Sequence, residues 1–139
     1  MSGRFEFVDT NVLLYAYDHS EPAKQGRAQE LLEDLWRRRE GCLSVQVLQE
    51  FYVNATRKLS RSLDAPTARQ IVEDYSQWII HAPTTRDVLA GIDLHQAHRL
   101  SFWDAMILTS ALELGCTILW SEDLNPGQHF EGLEVRNPL

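Results

Sequence analysis

With 139 residues and 44% hydrophobic content, the chain has enough apolar material for one ordinary core and too little for two. Its apolar runs fall far short of the roughly 18 residues a membrane helix needs, and Met1 to Glu6 lack the charged-then-apolar pattern of a secretory signal. The expectation is one domain over 1–139, cytoplasmic and off the membrane. A formal net charge of −7 argues against nucleic-acid binding by a general basic surface. It is compatible with carboxylates gathered at one metal site, the plain alternative being an acidic surface.

Phe5 to Val8 is a short apolar run that stops at Asp9-Thr10-Asn11, residues that favour caps and turns, so strand passes to a short helix from Val12. Ser20 is placed to cap a second helix reaching Arg39, with Ala28, Leu31, Leu32, Leu35 and Trp36 as its buried stripe and Gly41 at its C-terminal cap. Cys42 to Ser44 reads as a strand. Val45 to Leu59 reads as a helix whose apolar stripe is Leu48, Phe51, Tyr52, Ala55 and Leu59. A helix from about Thr67 gives way near Gln77 or Trp78 to a strand-like Trp78-Ile79-Ile80, and Thr85 can cap a further helix to about Arg99.

Trp103, Met106, Ile107, Ser110, Ala111 and Leu114 recur at steps of three and four, and Gly115 ends that helix. Cys116 to Trp120 is a nearly continuous apolar strand, as expected where helices cover both faces of a parallel sheet. Cys42 and Cys116 each open such a run and read as buried free thiols rather than a disulfide or a zinc site. Alternating strands and helices predict an α/β sandwich around a mostly parallel sheet.

Ligands bind open parallel sheets at the carboxyl ends of the strands, which directs attention to acids that follow strands. Asp9 follows the first strand and Asp123 the Cys116 to Trp120 strand, while Glu50 and Asp104 lie early in helices. Each has a plain alternative. Asp9 can cap its helix, Ser101 to Asp104 fits a capping box, Asp123 can open a turn at Asn125-Pro126-Gly127, and Glu50 points away from its helix's apolar stripe. His95 and His98 share a helical face without a third metal ligand. Two basic clusters, Arg37 to Arg39 and Arg57-Lys58 with Arg61, are either solvated helix ends or a phosphate-contacting rim. The four tryptophans mostly fit core positions.

Four blocks carry a resemblance: Asp9-Thr10-Asn11-Val12-Leu13, Val47-Leu48-Gln49-Glu50-Phe51-Tyr52, Leu100-Ser101-Phe102-Trp103-Asp104-Ala105-Met106-Ile107 and Trp120-Ser121-Glu122-Asp123-Leu124. In order and spacing they resemble the PIN-domain family, and the last block is close to its VapC-type toxins; Ser60 to Thr85 is the least family-like stretch. The resemblance implies a three-layer α/β/α sandwich and a Mg²⁺-dependent ribonuclease, with Mn²⁺ as an alternative ion. It further implies a toxin of a toxin–antitoxin pair, a homodimer held by an antitoxin that covers the site. It assigns the metal site to Asp9, Glu50, Asp104 and Asp123, with Ser121 as a polar helper and Thr10 or Asn11 as further ones. Two carboxylates ~5 Å apart repel by about 3 kcal/mol at an effective dielectric of ~20, so such a cluster calls for a cation, and hard oxygen ligands select Mg²⁺ or Mn²⁺ over zinc. Two rival readings stand beside it. One is an aspartyl-nucleophile phosphatase, which would want an acid where the chain has Asn11; the other is a catalytically silent protein-binding module.

Overall fold

The computed structural model describes residues 4–125 and 127–139. Met1 to Gly3, part of the segment read as lacking a secretory signal, and Pro126 of the expected Asn125-Pro126-Gly127 turn lie outside the described residues. The strands are β1 (Glu6–Val8), β2 (Gly41–Ser44), β3 (Ile79–His81), β4 (Ile118–Trp120), β5 (His129–Phe130) and β6 (Leu133–Arg136). The helices are α1 (Thr10–Tyr15), α2 (Pro22–Arg38), α3 (Val45–Arg57), α4 (Ala65–Tyr75), α5 (Thr85–His98) and α6 (Phe102–Glu113). Together they form the expected three-layer α/β/α sandwich around one sheet, ordered β3-β2-β1-β4-β6-β5 and parallel except for β5.

The centre of the sheet is dry on both faces. Every residue of β1 and β2 is buried, the signature of parallel strands covered by helices on either side. α6 is likewise buried without a break from Ala105 to Ala111, which makes it an internal helix rather than an amphipathic one. Phe7, Leu13, Leu35, Leu43, Phe51, Ile107, Leu108, Leu119 and Leu133 are the largest wholly buried side chains.

Several helix ends differ from expectation. α2 is entered through Glu21 and Pro22, while the Ser20 hydroxyl donates to Asp18; its C-terminal cap is Arg39, in the left-handed region at φ 57°, not Gly41. Gly41 is instead the first residue of β2, and its lack of a side chain is required by packing: a Cβ there would stand 2.4 Å from Cζ3 of Trp78. α4 starts earlier, capped by Asp64, and α5 is capped by Thr84 in a reciprocal capping box with Asp87. β5 and β6 were not anticipated. They form a hairpin whose central residues, Glu131 and Gly132, both have positive φ (48° and 88°), as in a type I′ turn, but without the Asn-Gly or Asp-Gly pair that usually announces one.

The tryptophans separate. Trp78 and Tyr75 are buried edge-on to one another, while Trp36, expected in the buried stripe of α2, packs against both from an exposed position; Trp103, expected in the buried stripe of α6, is 62% exposed because the helix's first turn projects at the mouth of a cleft. Tyr52, expected in the stripe of α3, is also exposed.

The packing of Gly41 generates a paired expectation. Gly41→Ala should destabilise by about 1–3 kcal/mol, since the buried Trp78 ring cannot withdraw without disturbing its neighbours. Gly26→Ala, at an exposed interior position of α2 with nothing within 4 Å of the added carbon, should stabilise by about 0.5–1 kcal/mol. Urea unfolding of both variants reads the two signs.

Candidate active site

β1 is central, flanked by β2 on one side and β4 on the other. The chain builds outward from β1 through β2 to β3, then crosses back to start the other half with β4. The switch point between β1 and β4 is where an open parallel sheet leaves a crevice beyond its strand ends. Register pairs Val8 with Trp120, so the residues leaving these strands, Asp9 and Ser121, emerge side by side. The Asp9 amide donates to Trp120 O at 2.9 Å, fixing the two exits together.

Asp9 is 5% exposed. One carboxylate oxygen accepts the Thr10 amide at 2.7 Å, so the cap reading is correct as geometry. The other accepts the Ser121 hydroxyl at 2.8 Å and the Asn11 side-chain amide at 3.4 Å. Burial pushes its pKa from 3.8 up to about 7, against the opposing hydrogen bonds of Ser121 and Thr10 and with the charges of Asp104 and Glu50 adding to the rise.

The other three acids reach the same cleft, of about 220 Å³, from separate elements. Glu50 comes from the second turn of α3 and is gripped by two donors: Thr10 Oγ1 at 2.6 Å and Gln46 Nε2 at 3.2 Å, the latter also reaching Trp103 O at 3.1 Å. Asp104 comes from the first turn of α6. Burial raises its pKa, its Ser101 bond opposes, and the charges of Asp123 and Glu50 add. Its backbone amide donates to Ser101 Oγ at 3.1 Å, so the cap itself does not require the carboxylate, although the Ser101 hydroxyl also acts on that carboxylate. Asp123 is exposed at the rim, where it accepts from Asn11 Nδ2 at 3.0 Å.

All four acids, Ser121, Thr10 and Asn11 are therefore brought together. Ser121 is wholly buried and does two jobs: it donates to Asp9 and accepts the amides of Asp123 (3.2 Å) and Leu124 (3.3 Å), shaping the turn that carries Asp123. Gln46 and Asn54 also line the cleft and were missed, although both stand four residues from Glu50, a spacing that puts them on its helical face. Glu122 is turned away into a salt bridge with Lys24 at 2.6 Å and a bond from Tyr15 at 3.0 Å.

Other candidates fall outside. His95 faces Leu100 O and His98 packs edge-on to Phe130, neither at the cleft. Arg38 is bound to Glu6, Asp34 and Glu40, and Arg37 to Asp34, at the end of α2 that leads into the start of β2, so Arg37 to Arg39 form no rim to this cleft. His81 bonds Ser110 Oγ at 2.8 Å and Asp87 at 3.2 Å, but Ser110 is wholly buried inside α6; the trio ties α6 to β3 and α5 and offers no nucleophile to a substrate.

A cation fits this donor set by chemistry. The oxygens are hard carboxylates, all four held by different parts of the fold. Among the described residues no three His, Cys, Asp or Glu side chains form a ready-made metal-holding group. Mg²⁺ does not require one, because it keeps several waters and takes one or two carboxylates directly.

A sequence model of the PIN domain matches residues 7–128, and the chain belongs to the PIN-domain family. Among solved structures, a toxin–antitoxin complex from Klebsiella pneumoniae matches with TM-score 0.72 at 19% identity, over 96% of this chain and 98% of that one. VapC20 of Mycobacterium tuberculosis, a Sarcin-Ricin loop cleaving toxin, matches with TM-score 0.66 at 19% identity, over 85% and 91%. DNA-bound VapBC from Salmonella typhimurium matches with TM-score 0.67 at 16% identity, over 99% and 100%. Comparison with curated protein sequences finds no match.

The buried Asp9 carboxyl generates a pH expectation. A carboxyl whose folded-state pKa lies above its unfolded value contributes stability below the unfolded pKa and loses it as pH rises through the folded one, here from about 4 to about 7. Asp104 shifts in the same direction. Protein held in EDTA should therefore melt several degrees lower at pH 8 than at pH 5, and Asp9→Asn should remove much of that slope; thermal melts across pH 4.5–8.5 check it.

Proposed function

We propose that the protein is a metal-dependent endoribonuclease acting as a VapC-type toxin, with Asp9, Glu50, Asp104 and Asp123 as its cation-binding acids. The observation that carries this reading is the delivery of four carboxylates from four separate elements into one cleft at the switch point of a PIN fold. Mg²⁺ suits the oxygen set, with Mn²⁺ as the alternative. When bound, the cation supplies charge neutralisation at a phosphodiester and a lowered pKa for attacking water.

The chain's own residues do the rest. Asp9 must give up its proton to serve, and Ser121 and the Thr10 amide keep its oxygens aimed while it does so. Thr10 and Gln46 hold Glu50 in one orientation, and Asn11 holds Asp123 against the repulsion of its neighbours. Asp104, approaching from the opposite wall on α6, is only partly buried and can meet substrate and ion from the solvent side. The phosphatase rival loses its acid: Asn11 spends its amide on Asp9 and Asp123 and its carbonyl oxygen on the Glu122 amide, leaving no proton donor two residues beyond Asp9. RNA as substrate, an antitoxin partner, a homodimer and a cytoplasmic setting complete the proposal, supported by the fold shared with toxin–antitoxin proteins.

Purified, partner-free protein should cleave single-stranded RNA with Mg²⁺ or Mn²⁺ and stop in EDTA. Asp104→Asn should lower kcat/KM by more than the roughly 10- to 100-fold typical of losing an outer-shell partner. It should not lower the melting temperature, because the Ser101 cap uses the Asp104 backbone amide. Undiminished cleavage in excess EDTA, or by the variant, overturns the site; a folded, metal-loaded wild type inert on RNA favours the silent binding module.

A further inference from the structure

α3 and its C-terminal cap carry Gln46, Glu50, Asn54 and Lys58 at four-residue spacing, which sets them along one side of the helix. The first three line the acidic cleft. A second cleft, of about 360 Å³, shares Asn11, Leu14, Asn54 and Asp123 with the first and continues past Leu59 to Lys58. The two are one groove, floored by the polar edge of α3. It runs from Glu50 to Lys58 over about 12 Å of helix axis, from the rise of 1.5 Å per residue.

The charges in this groove are uneven. Asp9, Glu50 and Asp104 crowd one end and Asp123 stands where the two clefts meet; the other end is lined by Asp18, which accepts from Ser20, by Glu122, and by Lys58, its one cation among the described residues. Lys24, the chain's other lysine, is committed to Glu122 and lies over the Tyr15 ring. Among the described residues Lys58 makes no ion pair, although acids abound on this surface. Arg57 and Arg61, its neighbours in the basic cluster, do not line the groove. In a chain of net charge −7, an exposed, unpaired ammonium at the far end of the acidic groove is an isolated anchor for a polyanion.

Resting on the nuclease reading above, we infer that Lys58 holds a non-scissile phosphate of a single-stranded RNA laid along α3, so that the strand crosses the acids at a fixed register. The cleaved phosphate sits at the Glu50 end, where carboxylates and cation act; a phosphate further along the strand meets the Lys58 ammonium. Asn54, between them, offers an amide to sugar or base. Lys58 is thus a positioning residue, and its contribution is electrostatic and independent of sequence.

The test is steady-state cleavage of an RNA oligonucleotide at fixed Mg²⁺ and varied KCl, by wild type, Lys58→Gln, Lys58→Arg and Arg37→Gln. Loss of one phosphate contact on a single strand should make the plot of log(kcat/KM) against log[KCl] shallower by about 0.7. Lys58→Gln is expected to show that change with a several-fold higher KM and nearly unchanged kcat; Lys58→Arg should restore both. Arg37→Gln, which alters net charge equally but away from the groove, should match wild type. A wild-type slope and KM in Lys58→Gln overturn the inference, as does an equal loss in Arg37→Gln. Weakened capture of an antitoxin without a change in slope also overturns it, assigning the ammonium to an acidic protein partner. Wild type that fails to cleave any RNA brings down the nuclease reading and this inference together, whereas robust cleavage with no Lys58 effect brings down only the inference.

Discussion

A carboxylate held out of water at the end of the central strand is the constraint from which the site follows. Asp9 leaves β1 where both faces of the sheet are covered, so its charge has little solvent to lean on, and burial drives its pKa up to about 7. Three donors blunt that cost without removing it: Thr10 N, Ser121 Oγ and Asn11 Nδ2. With Glu50, Asp104 and Asp123 opening onto the same cleft, the protein has concentrated negative charge where charge is least welcome. Carboxylates so placed repel one another, and a divalent cation, as the proposed function requires, would relieve that repulsion.

The fold exists, in this view, to bring acids distant in sequence to one end of the sheet while keeping each from relaxing. α3 follows directly from β2 through the Ser44 cap, which sets the rotation of the helix and with it Glu50. α6 is an internal helix and cannot turn about its axis without breaking its packing, and the His81–Ser110 and His81–Asp87 contacts tie it further to β3 and α5. Gly91 of α5 faces Met106 of α6, whose Sδ would have to move to admit a Cβ there. Asp104 is therefore aimed by the core rather than by the loop before it.

Much of this was legible in the sequence. Asp9 and Asp123 follow strands, and that rule located them without any structure; Ser121 and Asn11 came with the resemblance and do contact these acids. Glu50 was harder to place from pattern. A stripe through Leu48, Phe51, Tyr52, Ala55 and Leu59 turns Glu50 outward, but the buried residues of α3 are Val47, Phe51 and Ala55, and with Val47 in place of Leu48 and Tyr52 that face rotates so that Glu50 meets the cleft. An apolar residue such as Tyr52 counts toward a stripe whether or not anything covers it. Trp103 misled for the same reason: its spacing from Met106 is helical, yet the first turn of α6 stands at the cleft mouth. The β5–β6 hairpin was invisible because two short strands joined by Glu131 and Gly132 carry no strong local turn signal.

The central claim is that the four acids make one cation site. A crystal of the protein grown without chelator and soaked in Mn²⁺, with anomalous scattering collected at the manganese edge, tests it without reference to RNA or partner. The account predicts an anomalous peak in the cleft, bonded directly to one or two of Asp9, Glu50, Asp104 and Asp123 and linked to the others through water. Fully formed crystals with an empty cleft at saturating Mn²⁺, or with the ion bound elsewhere on the acidic surface, would contradict it.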